Sequence, residues 1–255
     1  MNTSHGRART TRSDKLGKMF AWPVALGALG ALGAFASCGR STPAPEPTGG
    51  TTASAAPAEQ QTATNATNAA VVQGSQSAQV GKPAPDFSLR DLEGKTVSLH
   101  DYRGKTVVLE WFNPECPFVR ASHTKASLKS FPSEQIAKGV AWLAINSNAP
   151  GKQGNGVSAN ADGKKRYGMP YPILLDESGD TGRHYGATNT PHMFVIDPQG
   201  VLVYQGAIDN SPDGEGESPQ GGKLVNYVQA ALGALGTGQD VGVKNTKAYG
   251  CGVKY

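Results

Sequence analysis

The stretch from Lys105 to Arg120 reads KTVVLEWFNPECPFVR. Its first half is a run of β-branched and aromatic residues, which is typical of a buried central strand. Cys116 and Pro117 follow, and proline is favoured at the first position of a helix because its missing N–H needs no partner there. The sequence therefore predicts a strand, a short turn and then a helix whose N-cap residue is Cys116.

Cys116 is the first candidate for chemistry. At a helix N-terminus, backbone N–H groups and the positive end of the helix dipole favour thiolate over thiol, which makes the sulfur a nucleophile. The alternative is that Cys116 is an unreactive core residue, since free cysteines are often buried. Its place directly after a strand and before proline favours the reactive interpretation.

Strands and helices alternate along the rest of this region. A Gly- and Asn-rich stretch at residues 146–163 is expected to be a surface loop, followed by a short polar helix around residues 164–167. About 175 residues with this pattern predict a single three-layer α/β domain. Further elements are predicted as a helix continuing from Phe118 towards Phe131, strands at 140–145, 173–175, 192–196 and 202–205, a turn at Asp197-Pro198-Gln199-Gly200, and a helix at 224–235.

The N-terminal segment has the features of an export signal. Five bases and one acid precede residue 38, and residues 19–36 carry no charge. Phe35-Ala36-Ser37-Cys38 resembles the lipobox of bacterial lipoproteins, in which the cysteine is acylated and becomes the new N-terminus. We therefore expect residues 1–37 to be a lipoprotein signal peptide and Cys38 to be lipidated. Simple secretion and an uncleaved membrane anchor are the alternatives.

Residues 38–80 are rich in Ala, Thr, Pro and Ser and are expected to form a disordered tether, because few large apolar residues offset the entropy of ordering them. The folded domain is expected to span residues 81–255. From Cys38 onward 19 bases balance 19 acids, so the net charge of +4 belongs to the signal and indicates no anionic partner. No motif or basic stripe for nucleic-acid binding is present.

Three segments of the folded region carry a family resemblance: residues 83–112 (PAPDFSLRDLEGKTVSLHDYRGKTVVLEWF), 113–120 (NPECPFVR) and 185–209 (YGATNTPHMFVIDPQGVLVYQGAID). Together and in this order they are similar to the redoxin branch of the thioredoxin-like superfamily, close to the peroxiredoxin-like proteins. The resemblance covers nearly all of residues 81–255. It implies a thioredoxin-like fold, a central mixed sheet flanked by helices, with Thr190-Pro191 as a cis-proline element beside Cys116.

The chain departs from the family at its active-site motif. Thioredoxins use C-x-x-C, in which a second thiol resolves the mixed disulfide. Counted from the strand without gaps, Cys116 takes the nucleophile position and Val119 replaces the resolving cysteine. On this register Glu110 falls where thioredoxins keep a buried acid that assists proton transfer, and an ordinary strand-end acid is the alternative interpretation. A second register puts Asn113 in place of the first cysteine. In either register no second cysteine lies nearby in the sequence.

The sequence NPECP also resembles the T-x-x-C-P context of peroxiredoxins, whose single cysteine attacks peroxide to give a sulfenic acid. A resolving thiol then comes from elsewhere, and Cys251 in YGCGVKY is the candidate, flanked by glycines that would let the tail swing. A permanent Cys116–Cys251 disulfide is an alternative interpretation. In a third alternative the tail lies far from Cys116 and both thiols stay single.

Three other polar residues are weaker candidates. His192, directly after the expected cis-proline, is expected either to contact substrate or to be a hydrogen-bonded structural residue. Arg120 is expected either to stabilise the Cys116 thiolate or to be solvated at the surface. His123 lies seven residues beyond Cys116, so one helical face brings it within a turn or two of the sulfur.

The expected function is that of a thiol-dependent oxidoreductase in the bacterial cell envelope, with Cys116 as nucleophile and Cys251 as resolving thiol. Its substrates would be peroxides or protein disulfides, and an electron-donating thiol protein would be its redox partner. No cofactor and no metal are expected. The alternatives are a non-catalytic redoxin-fold binding module and copper handling through Cys116 and His192, although the paired cysteines that soft metals prefer are absent locally.

Overall fold

The computed structural model describes residues 77–211, 213–219 and 221–255. Their centre is a seven-stranded sheet in the order β2-β1-β5-β4-β3-β7-β8, and a separate two-stranded ribbon pairs β6 with β9. The strands are β1 (Ser88–Asp91), β2 (Thr96–Ser98), β3 (Val107–Trp111), β4 (Ala141–Asn146), β5 (Ile173–Leu175), β6 (Asn189–Thr190), β7 (His192–Ile196), β8 (Leu202–Gly206) and β9 (Cys251–Gly252). The helices are α1 (Pro117–Thr124), α2 (Phe131–Ala137), α3 (Val157–Tyr167), α4 (Asp180–Tyr185) and α5 (Tyr227–Gly236).

Strand β3 is the centre of the sheet, as the run of β-branched and aromatic residues predicts. All five of its residues are buried, and it pairs in parallel with β4 and antiparallel with β7. Successive side chains of a strand point to opposite faces. Val108 therefore packs in one core cluster, and Leu109 and Trp111 pack in the other.

Helices cover both faces of the sheet. Buried side chains of α1, α2, α3 and α5 join the cluster that contains Val108, whereas α4 and a 3-10 turn at Leu99–Tyr102 join the cluster that contains Trp111. Two parallel pairs, β3 with β4 and β4 with β5, and antiparallel neighbours on both sides make the sheet mixed. The predicted thioredoxin-like, three-layer α/β architecture is confirmed.

Two predicted elements differ from the observed ones. The helix after Cys116 ends at Thr124, and the apolar residues that follow enter a separate helix, α2, whose first turn accommodates Pro132. The polar helix begins at Val157 and not near Lys164, directly after Gly156, whose φ of +89° stops the preceding loop from being helical.

The Gly- and Asn-rich stretch is wrongly predicted as a surface loop over its whole length. Asn146, Asn148 and Asn160 are buried. Their burial is possible because their side-chain amides donate hydrogen bonds to backbone carbonyls of the loop itself. The Asn146 amide donates to the Gly154 carbonyl at 2.8 Å and to the side chain of Asn160 at 2.9 Å. The loop is therefore ordered by asparagine hydrogen bonds, with its last part wound into α3.

Residues just before the predicted domain boundary at residue 81 contact the folded domain. Ala78 N donates to the His184 carbonyl at 2.8 Å, and Ala78 and Val80 pack against the core cluster of Trp111. Contacts with the domain therefore extend to Ala78, while the boundary at residue 81 stays a prediction. The predicted signal peptide, Cys38 and the tether up to residue 76 lie outside the described residues. No helix within the described part of the chain is both long and apolar enough to cross a membrane.

Candidate functional site

Cys116 lies where β3 ends and α1 begins. It is the N-cap residue of α1, with φ −72° and ψ 126°, and Pro117 takes the first helical position as predicted. The turn before it is held from two sides, since Cys116 N donates to the Asn113 carbonyl at 3.1 Å and the Tyr167 hydroxyl donates to the Pro114 carbonyl at 2.7 Å. Only 1% of Cys116 is exposed.

Cys251 brings the second thiol to this sulfur. Its Sγ lies 2.7 Å from the Cys116 Sγ, although 135 residues separate the two in sequence. The Cys116 Sγ also lies 3.1 Å from the Thr190 carbonyl oxygen, to which its thiol can donate. The alternative in which the tail lies far from Cys116 is therefore wrong.

The tail segment, residues 244–255, is fastened to the domain by backbone hydrogen bonds. Antiparallel pairing of β9 with β6 places Cys251 opposite Thr190. Beyond β9, Val253 N donates to the Thr188 carbonyl at 3.0 Å, and Lys254 N donates to the Asn148 side-chain oxygen at 3.1 Å. The expected freely swinging tail is thus a docked strand, because the ribbon satisfies its main-chain groups.

The environment of Cys251 determines its protonation. Burial, followed by the hydrogen bond with Cys116 and repulsion from its charge, raises the pKa of Cys251 to about 11. Cys251 therefore carries its proton at neutral pH.

The expected cis-proline element is present. The Thr190–Pro191 bond is cis, and it joins β6 to β7 beside the two cysteines. Thr190 carries the contacts of this element, because its carbonyl faces the Cys116 sulfur and its hydroxyl lies 3.5 Å from the Cys251 carbonyl. Thr190, which the notion of a cis-proline element beside Cys116 makes a candidate for substrate contact, is thus a residue that the tail segment already contacts.

Glu110 lies on β3 and is completely buried. Three side chains surround its carboxylate: His123 Nε2 at 2.7 Å from Oε1, and Trp142 Nε1 and the Tyr171 hydroxyl, each at 3.1 Å from Oε2. Burial, and then the charge of Glu110, raise the pKa of Tyr171 well above its usual value. The carboxylate is thus held by three donors.

Trp142 and Tyr171 are members of this site that sequence reasoning missed. Trp142 lies on β4, next to β3 in the sheet, and its indole N–H is buried. A buried indole N–H needs a hydrogen-bond acceptor. An acid on the neighbouring strand, Glu110, is therefore the sequence signal that could have predicted the contact with Trp142. Helical spacing predicts His123 near Cys116, and the structure shows its Nε2 beside Glu110 and its ring stacked on that of Tyr167.

His192 directly follows the cis-proline and is buried. Its Nδ1 accepts from Thr188 N at 3.3 Å, and its ring lies 4.5 Å from that of Phe194. Burial lowers the pKa of His192 to about 4, so the imidazole is neutral near pH 7. These contacts match the hydrogen-bonded structural interpretation, while substrate contact stays a prediction.

The neutral state of His192 predicts a loss of stability in acid. In the unfolded chain histidine titrates near 6.5, so between about pH 6.5 and pH 4 the unfolded state binds more protons than the folded state. Lowering the pH from 7.5 to 4 is expected to cost about 3 kcal/mol of unfolding free energy through this residue. Urea unfolding of the wild type and of His192→Gln measures the difference.

The exposed His184 provides the control for that experiment. His184→Gln is expected to keep the pH dependence of the wild type, while His192→Gln has a shallower one. Equal pH dependence in all three proteins would show that His192 titrates alike in both states.

Among the described residues, the hydrogen-bond partners of the Cys116 sulfur do not include the Arg120 side chain. Its backbone N donates to the Cys116 carbonyl at 2.9 Å within α1, while the residue itself is exposed. The exposed position fits the surface interpretation, while stabilisation of the thiolate by Arg120 stays a prediction. Among the described residues, no three His, Cys, Asp or Glu side chains are placed so that they could hold a metal ion together.

Comparisons with known proteins show the family of the described domain. The Redoxin family model matches residues 79–220. The thioredoxin-like protein YneN of Bacillus subtilis is 32% identical over 124 residues, covering 49% of this chain and 69% of that protein. Thiol-disulfide oxidoreductase ResA of Halalkalibacterium halodurans is 29% identical over 126 residues, covering 49% and 67%.

A solved structure resembles the fold over most of the domain. The hypothetical protein SMc02350 from Sinorhizobium meliloti matches with a TM-score of 0.61 and 29% identity, covering 71% of this chain and 96% of that one. The family model spans the strand, the Cys116 turn and the cis-proline element described above. The chain belongs to the Redoxin family.

Proposed function

We propose that this protein is a thiol–disulfide oxidoreductase whose redox couple is formed by Cys116 and Cys251. The observation that carries the proposal is the 2.7 Å separation of the two sulfurs across the β6–β9 ribbon. A disulfide has an S–S length of about 2.05 Å, so only a small movement joins them. ResA, which carries the name thiol-disulfide oxidoreductase, supports the same general class of activity.

The reaction proceeds in two exchange steps. The Cys116 thiolate attacks one sulfur of a substrate disulfide, so that a Cys116–substrate disulfide forms and the other substrate sulfur leaves as a thiolate. The Cys251 thiol then loses its proton to solvent and attacks the Cys116 sulfur, which releases the second substrate thiolate. The substrate disulfide has gained two electrons, and the Cys116–Cys251 pair has become a disulfide.

Several residues are proposed to serve this reaction. Glu110 is proposed to assist proton transfer to and from Cys116, and the cis element of Thr190 and Pro191 to shape the face that receives substrate. The peptide carbonyl of Thr190 supports this role, since it already contacts the reactive sulfur. His192 is proposed to support this element, where its neutral ring accepts from the main chain of Thr188.

The cell envelope is the proposed location, with the chain anchored through lipid on Cys38. The basic and apolar N-terminal residues and the Ser37-Cys38 site support this proposal. The compartment would also suit the chemistry, because disulfides persist in oxidising environments outside the cytoplasm. A thiol protein would supply the electrons that return the pair to its reduced state.

The decisive experiment is a redox titration of the full chain carrying Cys38→Ser, so that only two thiols remain. The protein is equilibrated in mixtures of reduced and oxidised dithiothreitol, and free thiols are alkylated and counted by mass spectrometry. We expect one transition in which both thiols disappear together, with a Cys116–Cys251 peptide link after digestion. Two thiols that remain free in fully oxidised dithiothreitol would instead support the non-catalytic binding module.

Peroxide reduction is a second candidate, which the NPECP sequence favours. In that reaction the Cys116 thiolate takes the terminal oxygen of a peroxide to give a sulfenic acid and an alcohol or water, and Cys251 then forms the disulfide with loss of water. Exposure of the Cys251→Ser variant to hydrogen peroxide tests it. Trapping of a sulfenic acid at Cys116 by dimedone supports this reaction, and an unmodified Cys116 contradicts it.

A further inference from the structure

Strand β9 occupies an edge that an extended polypeptide could use. Strand β6 lies outside the seven-stranded sheet, and within the described residues its strand partner is β9. The side chain of Asn189 adds to this pairing by donating to the Gly250 carbonyl at 3.0 Å. Pairing with an exposed edge is a general way to bind an extended peptide, because main-chain hydrogen bonds form with any sequence.

The tail segment also presents a cysteine to the nucleophile. Register opposite Thr190 brings the Cys251 sulfur to 2.7 Å from that of Cys116. Two residues earlier, the Tyr249 hydroxyl donates to Asp209 at 2.9 Å, and its ring lies 6.3 Å from that of Phe118. The tail therefore provides an aromatic anchor, a glycine and a reactive cysteine in one extended segment.

We propose that the tail segment occupies the binding place of the substrate on strand β6. When the tail leaves, this edge binds an extended polypeptide with an aromatic-Gly-Cys sequence. This inference rests on the proposed thiol–disulfide exchange and names its substrate class. Tail and substrate compete for one edge, so a substrate strand reaches Cys116 only while β9 is displaced.

The conformation of Gly250 makes the β6 edge selective for glycine at the position before the cysteine. Its φ is +110°, and a Cβ built there would lie 2.2 Å from the Thr190 carbonyl oxygen and 3.3 Å from Pro191 Cδ. Main-chain atoms cannot yield as a flexible side chain does, so a larger residue in this register forces the strand away from β6. The next glycine differs, since a Cβ on Gly252 would meet only the Thr188 carbonyl oxygen, at 4.0 Å.

The reaction at this edge consists of the same two thiol–disulfide exchange steps. With β9 displaced, the Cys116 thiolate bonds to the sulfur of the docked cysteine, and the group formerly attached to that sulfur leaves as a thiolate. The returning tail then brings Cys251 to the Cys116 sulfur. A Cys116–Cys251 bond forms, the substrate cysteine leaves as a thiolate that takes a proton from water, and two electrons have passed to the substrate.

The first test measures how well the tail covers Cys116. In the reduced full chain carrying Cys38→Ser and Cys251→Ser, the rate of Cys116 alkylation by iodoacetamide is compared for Gly250→Ala and Gly252→Ala. Gly250→Ala is expected to raise the rate by about tenfold or more, because its clash loosens β9. Gly252→Ala, the matched control, is expected to stay within about twofold of the parent. Equal rates in both variants would overturn the covering role.

The second test measures sequence selection directly. A peptide of residues 247–255, KAYGCGVKY, carries thionitrobenzoate on its cysteine and is mixed with the Gly250→Ala protein in the same background. Release of thionitrobenzoate reports attack by Cys116. A peptide with alanine before its cysteine is expected to react about tenfold more slowly than the parent, whereas alanine after the cysteine changes little. The same order of rates is expected, at lower absolute values, in the protein that keeps Gly250.

Ellman's reagent, a small disulfide, separates the two ways in which the inference can fail. Cys116 that reacts with it and with all peptides equally overturns the sequence selection but leaves the proposed function intact. Cys116 that reacts with no disulfide overturns the proposed function as well. A Cys116–Cys251 link between two protein copies, seen in the variant with both cysteines retained, would assign the edge to a second copy's tail and overturn the peptide assignment.

Discussion

Cys116→Ser is expected to lower disulfide-reducing turnover by on the order of 10³-fold or more, because serine keeps the shape of the residue but cannot form the mixed disulfide. The nucleophile has no local substitute, since position 119 is valine. Turnover is measured with a protein disulfide such as that of insulin and a thiol reductant, in the full chain with Cys38→Ser. Unchanged turnover in the serine variant would contradict the assignment of Cys116 as nucleophile.

Cys251→Ser is the matched comparison, because it removes one sulfur from the same contact and leaves the first step intact. We expect it to release about one thiol per protein molecule and then to accumulate as a Cys116–substrate adduct, which mass spectrometry detects. Multiple turnovers at the wild-type rate would show that Cys251 is not the resolving thiol. Comparing the two variants thus separates attack from resolution.

Glu110→Gln is expected to lower the free energy of unfolding by about 3 kcal/mol. His123, Trp142 and Tyr171 each present a hydrogen-bond donor to the Glu110 carboxylate. An amide supplies one acceptor oxygen and turns its NH₂ group towards donors, so at least one buried polar group loses its partner. Urea unfolding with reduced protein measures the difference in free energy.

Glu115→Gln makes the same chemical change five residues away, at an exposed position of the Cys116 turn. Its expected effect is within about 0.5 kcal/mol of the wild type, as for most surface substitutions. A similar free energy of unfolding for both variants would show that the Glu110 cluster contributes little. A large effect at Glu110 alone would show that the Glu110 cluster stabilises the folded domain.

The strand, the turn and the N-cap position of Cys116 could be predicted because their signals are local. A run such as VVLEW favours a buried strand, and Pro117 marks the first helical turn irrespective of what packs around them. The family resemblance added the cis bond before Pro191. All of these depend on residues that are close together in the sequence.

The remainder of the site depends on contacts that no local pattern encodes. Strand register decides that Trp142 reaches Glu110, and pairing of a two-residue strand decides that Cys251 meets Cys116. Gly250 was interpreted as a source of flexibility, whereas its conformation reflects close approach to a carbonyl oxygen. The buried asparagines around residue 148 looked like loop residues because their partners are backbone groups of the same loop.

The pairing of β9 with β6 also gives the two thiols a high effective concentration. They are 135 residues apart along the chain, so in an unfolded molecule they would meet rarely. Folding removes that entropic barrier, and a bond between them would restrict the unfolded chain enough to add about 5 kcal/mol of stability in the chain-entropy model. By linkage, the fold that favours the disulfide also strengthens the dithiol as a reductant, so that the electron-donating power of the pair is a property of the folded domain.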